Sequence, residues 1–219
     1  NPYTGVYLLS NNEGRKGYSW SITATVDKRW MRGWAFNANY TYGQSIVLNE
    51  GTSSQNNSQW RFMETVNGRN FMQLTTSDYD IGHRINAYAA KKFTYVGGQM
   101  ATTVSLVYNG QSGSPFSYVL NRGMVRDVDN NETNDLLYIP TADELQNMTF
   151  LTNTIPNTTT TYTPQQQKDM FEAFIQSDKY LNKNRGKYAE RNGTRLPFSN
   201  IIDLKIQQDF NLRLGGKTV

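Results

Sequence analysis

Oxygen-bearing side chains recur at alternate positions in the run Asp127, Asp129, Asn131, Thr133 and Asp135. Calcium takes six or more oxygen ligands, and a loop with carboxylates and amides at every second position is one way to supply them. The order follows the early ligand positions of a calcium loop, with two departures. Glu132 stands where the turn glycine belongs, and Tyr138 where the closing bidentate glutamate belongs. Asp127, Asp129, Asn131 and Asp135 are therefore the candidate metal ligands, with calcium the only cofactor in view. A solvated acidic loop ahead of a short strand, Leu136 to Ile139, accounts for the same residues.

Other chemistry has few residues to work with. The chain has one histidine and no cysteine, which excludes disulfides, thiolate metal sites and a histidine metal cluster within it. A serine hydrolase would need His83 close to Ser105, with a polar group orienting the ring. Neither a nucleophile elbow nor an oxyanion motif accompanies them. His83 reads as a histidine at the edge of a loop, bonded to a neighbour, and no catalytic residue is expected. The net charge is only +4, with Lys and Arg scattered rather than gathered in a stripe, so no nucleic-acid partner is expected.

The elements that would position these residues follow from periodicity. Tyr18, Trp20, Ile22, Ala24 and Val26 alternate with Ser19, Ser21, Thr23, Thr25 and Asp27. After a turn at 31–33 the pattern repeats. Trp34, Phe36, Ala38, Tyr40 and Tyr42 lie on one face, and Ala35, Asn37, Asn39 and Thr41 on the other. Strict alternation marks a strand with one apolar face. Large aromatics sit at both ends of this apolar stripe and alanines near its middle. A weaker strand covers 83–95, with Ile85, Ala87, Ala89, Phe93 and Tyr95 on the face of Lys91, which could snorkel toward an interface. A turn at 96–99 leads to Met100, Thr102, Val104, Leu106 and Tyr108 on one face. In the last strand Ile202, Leu204, Ile206, Phe210 and Leu212 oppose Asp203, Lys205, Gln207, Asp209 and Arg213. A third turn follows at 215–216.

Between these strands lie two long polar stretches, 47–78 and 110–196. The second holds a helix signal: Thr163, Pro164 and Gln166 stand in capping-box order, with Phe171, Phe174 and Ile175 at helical spacing behind them. Short turns and long loops alternate strictly. The mean hydropathy of −0.67 excludes a helical membrane protein but not a membrane barrel, whose strands average out polar. Short turns at one end, long loops at the other and two aromatic girdles are what an outer-membrane barrel shows. Trp20, Ile22, Phe36, Ile202, Leu204 and Ile206 would face lipid. Asp203, Lys205, Gln207, Asp209 and Arg213 would face a water-filled lumen.

The segments NPYTGVYLL, KGYSWSITATVDKRW, DYDIGHR, YNGQSGSPFSYV, DVDNNETNDLLYIP and YAERNGTRLPFSNIIDLKIQQDF resemble the C-terminal third of TonB-dependent outer-membrane transporters, nearest to the Oar-like and SusC-like branches of Bacteroidota. The resemblance spans nearly the whole chain, but its motifs are phrases rather than catalytic signatures. It implies an all-β, antiparallel, up-and-down barrel of 22 strands around a plug, of which about five are expected here. It also implies import of a bulky nutrient (glycan, peptide or iron chelate). The implied partners are the rest of the barrel and plug, an inner-membrane energy-coupling complex, a surface lipoprotein and outer-membrane lipid. Residues 1–219 are then expected to be a C-terminal segment of the barrel domain, with 47–78 and 110–196 extracellular, the three turns periplasmic, and the plug absent. A soluble β-sheet binding or adhesion module and a passive porin stay open beside this reading.

Overall fold

The computed structural model describes residues 14, 16–51, 53–55, 58, 62–68, 71–120, 134–155, 158–211, 213–214 and 217–218, without the side chains of 212–219. The chain is mostly antiparallel β-sheet with few helices. Five long strands carry it: β1 (Tyr18–Met31), β2 (Trp34–Val47), β3 (His83–Tyr95), β4 (Met100–Gln111) and β5 (Ser199–Phe210). They lie side by side in chain order, each antiparallel to the next. β1 and β2 are 14 residues each, longer than the ten or so that a tilted barrel strand needs to cross a bilayer.

Two tight connections set the register. Met31 pairs with Trp34 across a two-residue turn in which Arg32 and Gly33 both have positive φ, 53° and 74°. That combination matches the right-handed twist of the flanking strands. At Gly33 a Cβ would come within 2.6 Å of the Lys92 carbonyl oxygen, so the glycine answers close backbone approach as well as φ. Val96–Gly98 forms a single 3₁₀ turn between β3 and β4, closed by Gln99 N–H donating to the Val96 carbonyl. A third pairing, Arg213–Leu214 with Lys217–Thr218, brackets the glycine pair at 215–216, which lies outside the described residues.

The other connections are long, running over 48–82 and 112–198. Both are offset by a few residues from the sequence expectation, because β2 continues through Ile46 and Val47 and β5 starts only at Ser199. Backbone contacts divide the chain into two units. One comprises 17–46, 78–115 and 195–219 and holds the five strands. The other comprises the described parts of 1–16, 47–77 and 116–194.

The second unit has its own core. Leu137, Ile139, Ile175, Leu181 and Ala189 are buried together, with Tyr118, Leu120, Phe171 and Tyr180 packed against them. α1 (Ala142–Asn147), α2 (Pro164–Ser177) and α3 (Lys179–Lys183) belong to this unit, and α2 and α3 carry Ile175 and Leu181 into the core. The expected cap of α2 is present. Gln166 N–H donates to Thr163 Oγ1, and Thr163 N–H donates to Gln166 Oε1 at 2.9 Å. α1 carries the same reciprocal box between Thr141 and Glu144, and Asp178 caps α3 through Leu181 N–H. Sequence periodicity misses α1 and α3, which are too short to show it. Of the expected strand Leu136–Ile139, only Tyr138–Ile139 pairs as a ladder, with Lys187–Tyr188; Leu136 makes a lone bridge to Val119.

Tyr118 sits beside this core and donates to Asp178 Oδ2 at 2.8 Å. Burial first, and then the bond to the Asp178 carboxylate, push its phenol up to about 12. Burial opposes ionisation of Asp178, yet N–H donors from Leu181 and Tyr180 and the Tyr118 hydroxyl hold its carboxyl below the usual value. A phenol whose pKa is raised on folding contributes stability that is complete below its unfolded value of 10.0 and is lost as pH rises through about 12. Protease resistance of 134–195 should therefore fall as pH climbs through that window, and Tyr118→Phe should flatten the fall. An equally steep fall in the variant would assign the loss to other groups.

Candidate functional site

The register places side chains from all five strands on two chemically distinct faces. Residues directly opposite one another in a ladder share a face. Ile22 pairs with Tyr42, Ala24 with Tyr40 and Val26 with Ala38; Ala38 pairs onward with Ala87, Ala87 with Tyr108, and Tyr108 with Ile202. The next row along runs Phe36, Ala89, Leu106, Leu204. All six residues expected to face lipid, Trp20, Ile22, Phe36, Ile202, Leu204 and Ile206, therefore belong to one apolar face. All six are exposed, Ile22 and Ile206 at 68% and Leu204 at 65%. Soluble monomers rarely leave a contiguous apolar surface of this kind bare.

The ends of this face differ from its middle. Where the long connections emerge, Trp20 meets Tyr42 edge-on with ring centroids 5.4 Å apart, and Tyr42 stacks on His83 at 4.7 Å. Tyr40 hydroxyl and His83 Nδ1 are 2.7 Å apart, and Tyr108 hydroxyl donates to Asn200. Where the tight turns lie, Lys91 Nζ stands 4.8 Å from the Trp34 ring centroid, and Tyr95 hydroxyl donates to Gln208. Between them run Ile22, Ala24, Val26, Ala38, Ala87, Ala89, Leu106, Ile202 and Leu204, which carry no polar atoms in their side chains. From the Tyr42–His83 pair to the Trp34–Lys91 pair is eight residues, about 26 Å along the strands.

The opposite face is polar and bonded to itself. Thr23 and Thr41 hydroxyls are 2.9 Å apart, Thr25 donates to Asn39, and Asn37 donates to Asp27. Asp203, Lys205, Gln207 and Asp209 all lie here, opposite Val107, Ser105, Thr103 and Ala101. Asp209 accepts from Gln207 at 3.0 Å and from Lys92 at 3.3 Å, an exposed pair of small energetic weight. Small residues on this face, Ala35, Ala90, Ala101 and Ser105, are buried. Arg213 falls in the two-residue ladder with Thr218, and its side chain lies outside the described residues.

His83 and Ser105 are on opposite faces: His83 pairs with Tyr42 on the apolar side, and Ser105 with Ala90 and Lys205 on the polar side. The pairing considered for a serine hydrolase is not built. Of the candidate calcium ligands, Asp127, Asp129 and Asn131 lie outside the described residues. Asp135 is in the second unit, where its carbonyl accepts from Leu120 N–H and its backbone bridges Thr65. Among the described residues no group of three or more His, Cys, Asp or Glu stands close enough to hold a metal ion.

One feature of the first unit has no signature in the sequence beyond the Asp80-Ile81-Gly82 turn. Asp80 is buried. Its Oδ1 accepts from Arg195 Nη2 at 2.5 Å and from Gly82 N–H, and its Oδ2 accepts from Ser45 N–H. Arg195 Nη1 donates in turn to the carbonyls of Asp80 and Gly113. One ion pair thus ties the loop ends of β2, β3, β4 and β5.

Comparison of the chain with protein-family models, with curated proteins and with solved structures gives no match.

Proposed function

We propose that this chain is part of the wall of an outer-membrane barrel, in a transporter that imports a bulky nutrient with energy supplied through a TonB-type complex. One observation carries the membrane part of the reading. Across five strands the apolar rows lie on one face, with Ile22, Val26, Leu106, Ile202, Leu204 and Ile206 exposed and Ile85 and Val104 half-buried, bounded at both ends by aromatic residues with polar partners. In water that surface is costly; against hydrocarbon it needs no cover. The polar ladder on the other face suits a hydrated lumen. The strict alternation of tight turns with long connections supports the same orientation, with turns periplasmic and connections outside. The transport part rests on the sequence resemblance. Asp203, Lys205, Gln207 and Asp209 then line the lumen, and the connections 48–82 and 112–198 meet the nutrient or a surface lipoprotein.

Leu204→Arg and Asp203→Asn in the full-length gene product test the assignment of faces. Leu204 lies near mid-strand, so arginine there should cost about 2–4 kcal/mol of folding or insertion free energy, while Asp203→Asn costs far less. Cysteines at the same two positions should label in the opposite sense with a water-soluble maleimide, 203 reactive and 204 protected. Labelling of 204 but not 203, or a protein that stays monodisperse without detergent, would favour a soluble sheet module instead.

A further inference from the structure

Lys28 and Lys91 are the only Lys or Arg residues that the register places among the apolar and aromatic rows of the exposed face, and no carboxylate shares those rows among the described strand residues. Both are half-buried, and both stand near the tight-turn end. Lys28 Nζ is 5.9 Å from the Phe36 ring centroid; Lys91 Nζ is 4.8 Å from that of Trp34 and 5.8 Å from that of Phe93. Lys28 sits opposite Phe36 on one side of β2, and Lys91 opposite Trp34 on the other. Two strand spacings and a two-residue offset put their Cα atoms about 12 Å apart. Two four-carbon stems can close that interval from either side. Lys91 donates one hydrogen bond, to the Arg32 carbonyl at 3.1 Å, and an ammonium has further donors. The other end of the same face offers Tyr18, Trp20, Tyr42, His83, Tyr108 and Asn200, with no lysine or arginine among the paired strand residues there.

We propose that Lys28 and Lys91 form a binding site for the phosphate of one anionic phospholipid, held over Trp34 and Phe36 in the leaflet on the tight-turn side. The proposal rests on the reading that this face meets lipid. Charge selects the class of headgroup. Two cations without a carboxylate attract a phosphate and offer nothing to the amine of a zwitterionic lipid. The aromatic rings hold the lysine stems at headgroup depth while the ammonium groups stay wet.

The test uses delipidated full-length protein in a neutral detergent, titrated with phosphatidylglycerol or phosphatidylcholine and read by native mass spectrometry. Wild-type protein should retain phosphatidylglycerol in preference to phosphatidylcholine. K28Q/K91Q should bind phosphatidylglycerol about thirtyfold more weakly, from the usual worth of two basic residues at a membrane surface. K28R/K91R should stay close to wild type, which separates lost charge from lost folding. Equal retention by wild type and K28Q/K91Q, no preference between the two lipids, or equal occupancy by inorganic phosphate alone would overturn the site. Maleimide labelling of Ile22→Cys and Leu204→Cys in the same preparation distinguishes the two failures: if both stay protected, only the lipid site falls; if both react, the membrane reading falls with it.

Discussion

Asp80→Ala is expected to destabilise the strand unit by about 3 kcal/mol or somewhat more, the usual cost of removing one partner of a buried ion pair. The side chain of Asp80 is 2% exposed and that of Arg195 30%, so the arginine left behind keeps some access to water, and the value falls at the low end of that range. The loss has two parts. Arg195 keeps its bonds to the Asp80 and Gly113 carbonyls but loses its counter-charge. The N–H groups of Ser45 and Gly82 lose their acceptor, and a buried donor without an acceptor costs about 1–3 kcal/mol. Asp80→Asn, which keeps an acceptor oxygen but no charge, should fall between. The check is the midpoint of heat- or urea-induced unfolding of the full-length protein in detergent. A shift worth less than about 1 kcal/mol for the alanine variant would show that the pair is replaceable by solvent.

Ile175→Ala is expected to loosen the second unit by about 2–5 kcal/mol, the range for deleting a buried aliphatic side chain and leaving its cavity. Ile175 is fully buried at 0% and lies in the cluster with Leu137, Ile139 and Leu181. This core is small, so one cavity removes a large share of it. Helix α2 carries Ile175 inward while Phe174 stays part-exposed, edge-on to Tyr118 at 5.9 Å between centroids. Limited proteolysis over 134–195 reads the result. Phe174→Ala should raise the cleavage rate less than Ile175→Ala, and the reverse order would misplace the core.

Alternation at a period of two residues determined the strands and their faces in advance, because the strand repeat sends neighbours to opposite sides whatever lies beyond. Tyr18 to Asp27, Trp34 to Tyr42 and Ile202 to Gln207 carry that pattern, and the register joins their apolar rows into one surface. The α2 start was equally legible, since Thr163, Pro164 and Gln166 satisfy its first N–H groups within three residues. Other features depend on pairings that no local pattern encodes. Asp80 and Arg195 are 115 residues apart, and nothing near Arg195 in the sequence marks it as the partner of a buried carboxylate. Leu137, Ile139, Ile175, Leu181 and Ala189 come from a two-residue ladder, two helices and the loops beside them; α2 shows its period in the sequence, the other pieces are too short to, and only their packing makes the five a core. His83 was legible as a residue and Ser105 as another, but the face each occupies depends on strand register. The same register brings Lys28 and Lys91, 63 positions apart, to either side of Trp34 and Phe36. Short-range physics, alternation and capping, was written in the residues themselves. Long-range pairing, which sets two distant charges or five scattered aliphatics side by side, required the folded chain.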